Sequence, residues 1–171
     1  MSYVLETERL ILREFTLADA NFIIELVNSP GWLRFIGDRN IKIEEQAKEY
    51  LRNGPLKSYE VNGFGLSMVE LKTGGTPIGM CGIIKRDTLE KPDIGFAFLP
   101  EFEGKGLAFE IASATLAYAN DILKIPVVFA ITIPGNIRSI RLLEKMGFKY
   151  SNTFTSPNDN IELSLYKSQE R

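Results

Sequence analysis

The chain has 171 residues, 44% of them hydrophobic and 25% charged, with a formal net charge of −2. That is enough chain for one domain with a sizeable core, and the missing basic surplus speaks against a nucleic-acid surface. One Cys and no His exclude an intrachain disulfide, a multi-cysteine metal site, and acid–base or metal chemistry built on histidine.

No apolar run approaches the roughly 20 residues of a membrane span. The opening MSYVLETERLILREF lacks a basic-then-apolar leader pattern. A reduced, cytoplasmic chain is expected. Arg9–Phe15 alternates Leu10, Leu12 and Glu14 against Ile11, Arg13 and Phe15, which predicts a strand. Thr16 with Asp19 three residues on resembles a capping box. Ala20, Ile23, Ile24 and Val27 mark the face of the helix that follows, and Ser29-Pro30-Gly31 breaks it. Trp32–Asn40 (WLRFIGDRN) reads as an irregular, aromatic and charged connection. Ile43–Asn53 reads as a second helix, ended by Gly54-Pro55. Phe64–Leu71 and Thr76–Lys85 read as a hairpin around Lys72-Thr73-Gly74-Gly75. A charged loop, Arg86–Pro92, follows.

The stretch Asp93–Ala119 carries the strongest local pattern. Ile94–Leu99 is short, apolar and aromatic, as a buried strand is, and Pro100 ends it. Glu103-Gly104-Lys105-Gly106-Leu107-Ala108 then turns into a helix of about four turns, with Leu107, Ile111, Thr115, Tyr118 and Ile122 at near-helical spacing. A strand, a glycine turn and a helix aim backbone N–H groups and the positive end of a helix dipole at one point, where an anion can sit. A Walker loop needs GxxxxGK[ST], which is absent, and a dinucleotide fingerprint needs GxGxxG, of which only the first two glycines are placed. The third phosphate reading is the pyrophosphate arm of coenzyme A, whose pattern [Q/R]xxGx[G/A] fits except that Glu103 replaces Gln or Arg. A helix entry without any ligand also fits.

Val127–Ile133 is a continuous apolar run, read as a buried strand, and Pro134-Gly135 turns it. Asn136 can cap a helix whose inward side carries Ile137, Ile140, Leu143 and Met146, stopped by Gly147. Phe148–Phe154 and Ile161–Tyr166 are the last strands, around the loop 155–160. With no repeat, low-complexity segment or linker, residues 1–171 read as a single domain of α/β (α+β) class, a mixed sheet covered by helices.

This element order resembles the GNAT family of N-acetyltransferases over essentially the whole chain. Glu6-Thr7-Glu8-Arg9-Leu10-Ile11-Leu12-Arg13 is similar to the TERLxLR opening of its RimJ/RimL-type branch. Pro77-Ile78-Gly79 resembles the IG of its third strand. Residues 136–148 (NIRSIRLLEKMGF) resemble its NxxSxxxxEKxGF signature. The resemblance implies a mostly antiparallel sheet of about seven strands with about four helices. It also implies acetyl-CoA as co-substrate, no metal, and direct acetyl transfer to a primary amine on a protein N-terminus or a small molecule. The acceptor stays open, as does the choice between monomer and homodimer. A longer acyl donor, or a non-catalytic coenzyme A-binding or sensing module, are the alternatives.

The resemblance also assigns residues. Phe96, Phe98 and Leu99 would hold pantetheine like an added strand in a gap between the Ile94–Leu99 and Val127–Ile133 strands, with a backbone N–H near Phe98 as oxyanion donor. The N–H groups of Gly104, Lys105, Gly106, Leu107 and Ala108 would hold the pyrophosphate, with Glu103 turned to solvent. Lys105 either faces a phosphate or is a solvated loop lysine. Asp93 stands where related enzymes carry a general base, or it is a structural carboxylate facing solvent or pairing with Arg86. The tyrosine that many relatives use to protonate the thiolate is replaced by Leu143, leaving Ser139 to hydrogen-bond the sulfur and Asn136 to contact pantetheine, cap the helix, or both. Trp32, Phe35, Asp38 and Arg39 would line the acceptor pocket, or Trp32 and Phe35 simply pack. Cys81, among apolar neighbours, reads as a buried inert thiol.

Overall fold

The computed structural model describes residues 2–171. Its strands are β1 (Tyr3–Glu6), β2 (Leu10–Glu14), β3 (Leu66–Leu71), β4 (Pro77–Ile84), β5 (Asp93–Phe98), β6 (Phe129–Thr132), β7 (Lys149–Thr155) and β8 (Glu162–Lys167). They form one eight-stranded sheet in the order β1-β2-β3-β4-β5-β6-β8-β7. Every neighbouring pair is antiparallel except β5 and β6, which run parallel and register at one pair only, Asp93 opposite Phe129. The helices are α1 (Ala20–Val27), α2 (Pro30–Phe35), α3 (Glu44–Leu51), α4 (Lys57–Asn62), α5 (Leu107–Asp121) and α6 (Ile137–Lys145). This is the mixed, mostly antiparallel GNAT fold. It has eight strands where about seven were expected; the unforeseen one is β1, a four-residue edge strand too short to show a period.

The sheet separates two apolar clusters. Leu10, Leu12, Val69, Ile78 and Ile94 pack with Ile111, Ala112 and Ala119 of α5 in one. Phe15, Met68, Met80 and Leu99 pack with α1, α2 and α3 in the other. β2 ends at Glu14, one residue short of the expected strand. Its outward position Arg13 is buried all the same, because Asp19 (2.9 Å) and Glu70 (3.1 Å) pair with its guanidinium. Thr16 and Asp19 close the expected capping box over the 3₁₀ turn Leu17–Asp19 that leads into α1.

Two breaker signals act differently than expected. Pro30 does not open an irregular connection; it occupies the first turn of α2, where its missing N–H costs nothing. Gly54-Pro55 does not end the second helix either. A π turn over Arg52–Leu56 carries the chain through to α4, and the wider turn accommodates a residue that cannot donate. The helices α3 and α4 are thus one continuous rod, ended by Gly63.

In α5, Leu107, Ile111 and Thr115 are buried as the spacing predicts, and Ala112 and Ala119 complete the inward face. Tyr118 is only half-buried, and Ile122 lies just past the helix, 64% exposed. In α6 the same correction applies to Ile137, which is exposed at the first turn, while Leu143 is the buried anchor. Asn136 accepts the Ser139 N–H at 3.4 Å as N-cap. At the other end Gly147 N–H donates to Glu144 O and Phe148 N–H to Leu143 O, the paired bonds of a Schellman stop.

Candidate active site

The site begins at the one place where the sheet is incomplete. Phe129 N–H donates to Pro92 O at 2.9 Å, and pairing between β5 and β6 ends with the single register pair Asp93–Phe129. On the other side β5 is fully paired with β4, from Asp93 opposite Ile84 to Phe98 opposite Gly79. Leu99 N–H continues that ladder to Ile78 O at 2.9 Å. Backbone groups in an antiparallel ladder alternate sides. Those of Phe96 and Phe98 therefore turn away from β4 toward the gap, while the N–H of Leu99 is already used. Of the three residues expected to pair with an added strand, Phe96 and Phe98 have the geometry. Leu99 does not; it is a core residue, 5% exposed.

The gap leads to the glycine turn. Gly104 (φ +73°) and Gly106 (φ +78°) both hold left-handed backbone, and Gly106 is the N-cap of α5. No side chain caps that end. The first helical bond runs from Glu110 N–H to Gly106 O at 3.1 Å, so the N–H groups of Leu107, Ala108 and Phe109 remain unused at a positive helix end. A Cβ added at Gly104 would meet nothing within 4 Å. The glycines are thus required by backbone conformation rather than by crowding within the chain.

A strut fixes this end of α5 to the opening motif. Glu110, in the first turn of α5, accepts from Thr7 Oγ1 (2.5 Å), Arg9 N (3.0 Å) and Arg9 Nε (2.7 Å). Arg9 Nη1 also donates to Lys105 O at 3.2 Å, within the glycine turn. Burial raises the Glu110 pKa, but the hydrogen bonds from Thr7 and Arg9 and the Arg9 charge outweigh it and hold the carboxyl below its ordinary value. Glu103 does not turn to solvent as expected. It pairs with Arg138 of α6 at 2.5 Å, which neutralises the carboxylate that would oppose an anion in the turn. Lys105 lies over the Phe102 ring at 5.7 Å.

Between β5 and β6 on the other side lies a cavity of about 470 Å³. It brings together Asp93, Phe96, Asn136 and Ser139, and with them Trp32, Phe35 and Arg39. Asp38 is excluded; it faces Lys42 at 3.5 Å, and its own side chain accepts the Asn40 N–H. The sequence reading missed Tyr50. It lines the cavity from α3 beside the buried Ala47 and Leu51, and its spacing of three from Ala47 was the available signal. Burial pushes its phenol pKa up, while Arg39 and Arg86 pull it back.

Asp93 is 1% exposed, and both its oxygens accept from Arg86 Nε, at 3.0 and 3.2 Å. It pairs with Arg86 yet does not face solvent. Burial raises its pKa above 3.8, and the Arg86 guanidinium only partly counters this. A carboxylate with a raised pKa on a cavity wall is a stronger base than an exposed one. Cys81 is fully buried, bonded to Thr115 Oγ1 at 3.5 Å, with its thiol pushed up to about 12 by burial. It is no nucleophile at neutral pH.

Comparison with known proteins agrees with this geometry. Residues 9–149 match the family described as Acetyltransferase (GNAT) domain. The uncharacterized N-acetyltransferase YoaA of Bacillus subtilis (strain 168) is 28% identical over 176 residues, covering 98% of each chain. The acetyltransferase (GNAT family) from Bacillus anthracis superposes with a TM-score of 0.79 at 24% identity, covering 98% of each chain. RimL, a ribosomal alpha-N-protein acetyltransferase solved in complex with coenzyme A, superposes with a TM-score of 0.82 at 13% identity, covering 99% of this chain and 98% of its own. At these identities the two structures share the fold with this chain. Among the described residues no group of three or more His, Cys, Asp or Glu side chains could hold a metal ion, and no helix is long and apolar enough to cross a membrane.

Proposed function

Because the chain belongs to the GNAT acetyltransferase family, we propose that it moves an acetyl group from acetyl-CoA directly to a primary amine, and that it falls in the RimJ/RimL-type branch. The observation that carries this reading is the opened β5–β6 seam. It runs from an unfilled helix N-terminus with left-handed glycines to a cavity with a buried carboxylate on its wall. Both the start and the end of the chain contribute strands to the same sheet, which supports treating residues 1–171 as one catalytic domain. The branch assignment rests on the Thr7–Arg13 and Asn136–Phe148 motifs and on the likeness to RimL.

Acetyl-CoA supplies an activated acyl carbon and a thiolate leaving group. The chain's own groups supply the rest. Unused N–H groups of Leu107, Ala108 and Phe109 suit the pyrophosphate. Phe96 and Phe98 offer backbone groups to the pantetheine arm, and the Phe98 N–H is the donor for the oxyanion. Alkyl amines are mostly protonated at neutral pH, so a base must free the lone pair before the N–C bond forms. Asp93 is that base, directly or through a water, and Arg86 keeps its carboxyl ionised despite burial. As the C–S bond breaks, the Ser139 hydroxyl hydrogen-bonds the departing sulfur, and Asn136 holds the first turn of α6 that carries it. Cys81 is not needed.

The test is thiol release from acetyl-CoA across a panel of amines, with coenzyme A binding followed by calorimetry. Saturable coenzyme A binding with amine-dependent thiol release is the expected result. Binding without release for any amine would instead support a sensing module, and release only with longer acyl donors would move the donor assignment.

A further inference from the structure

The acceptor wall of the cavity carries a distinctive polar set. Trp32 is 6% exposed, lines the cavity, and its Nε1–H has no hydrogen-bond partner. It is the one buried side-chain polar atom left so among the described residues. An unsatisfied buried donor costs about 1–3 kcal/mol, and such a group at a cavity wall is a place for a ligand acceptor atom. Arg39 lines the same cavity from the segment that follows α2. Its neighbour Asp38 is engaged by Lys42, and no carboxylate pairs with Arg39 among the described residues. Arg86 is different, since its charge is committed to Asp93.

The cavity's formal charges are therefore Arg39 and Arg86 against Asp93 and Asp159. Removing the committed Arg86–Asp93 pair leaves one free cation and, on the β7–β8 turn, one exposed anion. A bare polyamine would bring positive charge to Arg39 and offer nothing to the indole N–H. A ligand with an ammonium and a carboxylate satisfies both. The rest of the wall is apolar and aromatic, with Trp32, Phe35, Tyr50 and Phe154.

We propose that the acceptor is an aromatic or large apolar amino acid, whose carboxylate takes the Trp32 Nε1–H and the Arg39 guanidinium. This rests on the acetyl-transfer reading and adds the substrate class to it. A carboxylate bound there leaves the adjacent amine inside the same cavity as Asp93. A polyamine, or a protein N-terminus with no free carboxylate beside its amine, leaves Arg39 unmatched.

Trp32 is the only tryptophan in the chain, so its fluorescence reports on this wall alone. L-phenylalanine, phenylalaninamide and phenethylamine share a ring and an amine and differ in the carboxylate. Titrated into the protein, with and without saturating coenzyme A, phenylalanine is expected to shift the Trp32 emission saturably. It should bind about tenfold or more tighter than the other two, the size of one hydrogen bond to a charged group. Arg39→Gln, an exposed position, should erase most of that preference. Trp32→Phe, followed by calorimetry, should weaken phenylalanine and leave phenethylamine unchanged. Equal binding of the three, tighter binding of phenethylamine, no saturable response to phenylalanine, or a preference that survives Arg39→Gln each overturns the proposal. Because the titration also runs on the protein alone, it does not depend on acetyl transfer. Failure of coenzyme A binding or of thiol release would strike the catalytic reading instead.

Discussion

The donor end and the acceptor end of the site are built from different materials. At the glycine turn the working groups are backbone N–H donors, set by two left-handed residues and locked by the Thr7–Arg9–Glu110 strut. In the cavity they are side chains drawn from α2, α3, the Arg86 loop, β5 and α6. Backbone recognition is insensitive to which residues surround it, provided the conformation is kept. Side-chain recognition can be retuned one residue at a time. A donor shared by many relatives and an acceptor that differs among them call for that division.

The sharpest way to break the comparison is at Asp93. Asp93→Asn should lower turnover about 10²–10⁴-fold near neutral pH, recover as pH rises and free amine accumulates, and leave coenzyme A affinity unchanged. Rate profiles across pH with calorimetry on the same samples check it. An unaltered profile would make Asp93 a structural partner of Arg86. At the donor end, Gly106→Val forces a β-branched residue into left-handed backbone, a cost of about 1–2 kcal/mol. Relaxing that strain dismantles the turn. Donor affinity should fall roughly tenfold or more while amine affinity holds, and Gly106→Ala should fall less.

A subtler effect follows from Arg86. Burial raises the Asp93 pKa and Arg86 pulls it down, so Arg86→Gln raises it further. The base is active only above its pKa, so the acid limb of the rate profile should move to higher pH, with the alkaline plateau little changed. The smallest expected effect is on stability. The Glu110 carboxyl is held below its ordinary value in the fold. Its contribution is therefore present above the unfolded value of about 4.3 and is lost as pH falls through the lower folded value. Arg9 is 47% exposed, so Glu110→Gln should cost about 1 kcal/mol at neutral pH. The deficit should vanish in acid, as thermal melts at both pH values would show.

The same division decides what could be read in the sequence. The glycine turn, α5 and the Schellman stop after α6 are local patterns, and local patterns are legible in a string. Misread elements were places where tertiary context overrides a local signal: Pro30 starting a helix, Pro55 absorbed in a π turn, Ile137 left outside. In the site, Asp93, Asn136 and Ser139 came from resemblance in sequence, and the structure gathers them around one cavity. Tyr50 was missed because nothing near it in sequence says it faces Arg39 and Arg86. Asp38 was included because it sits between two cavity residues, but a loop does not keep its neighbours on one side. Glu103 was expected in solvent because its partner, Arg138, lies 35 positions away.

The single register pair between β5 and β6 leaves the sheet as two ribbons stitched at one point. In the proposed reading the missing length of seam is filled by a molecule the chain does not encode. A ligand that binds only the folded chain at a hundredfold above its Kd adds about 2.7 kcal/mol of stability. The ribbon carrying β6, β8 and β7 would then be held less firmly when coenzyme A is scarce, and would open to proteases first. The lifetime of the protein would rise and fall with the supply of its donor.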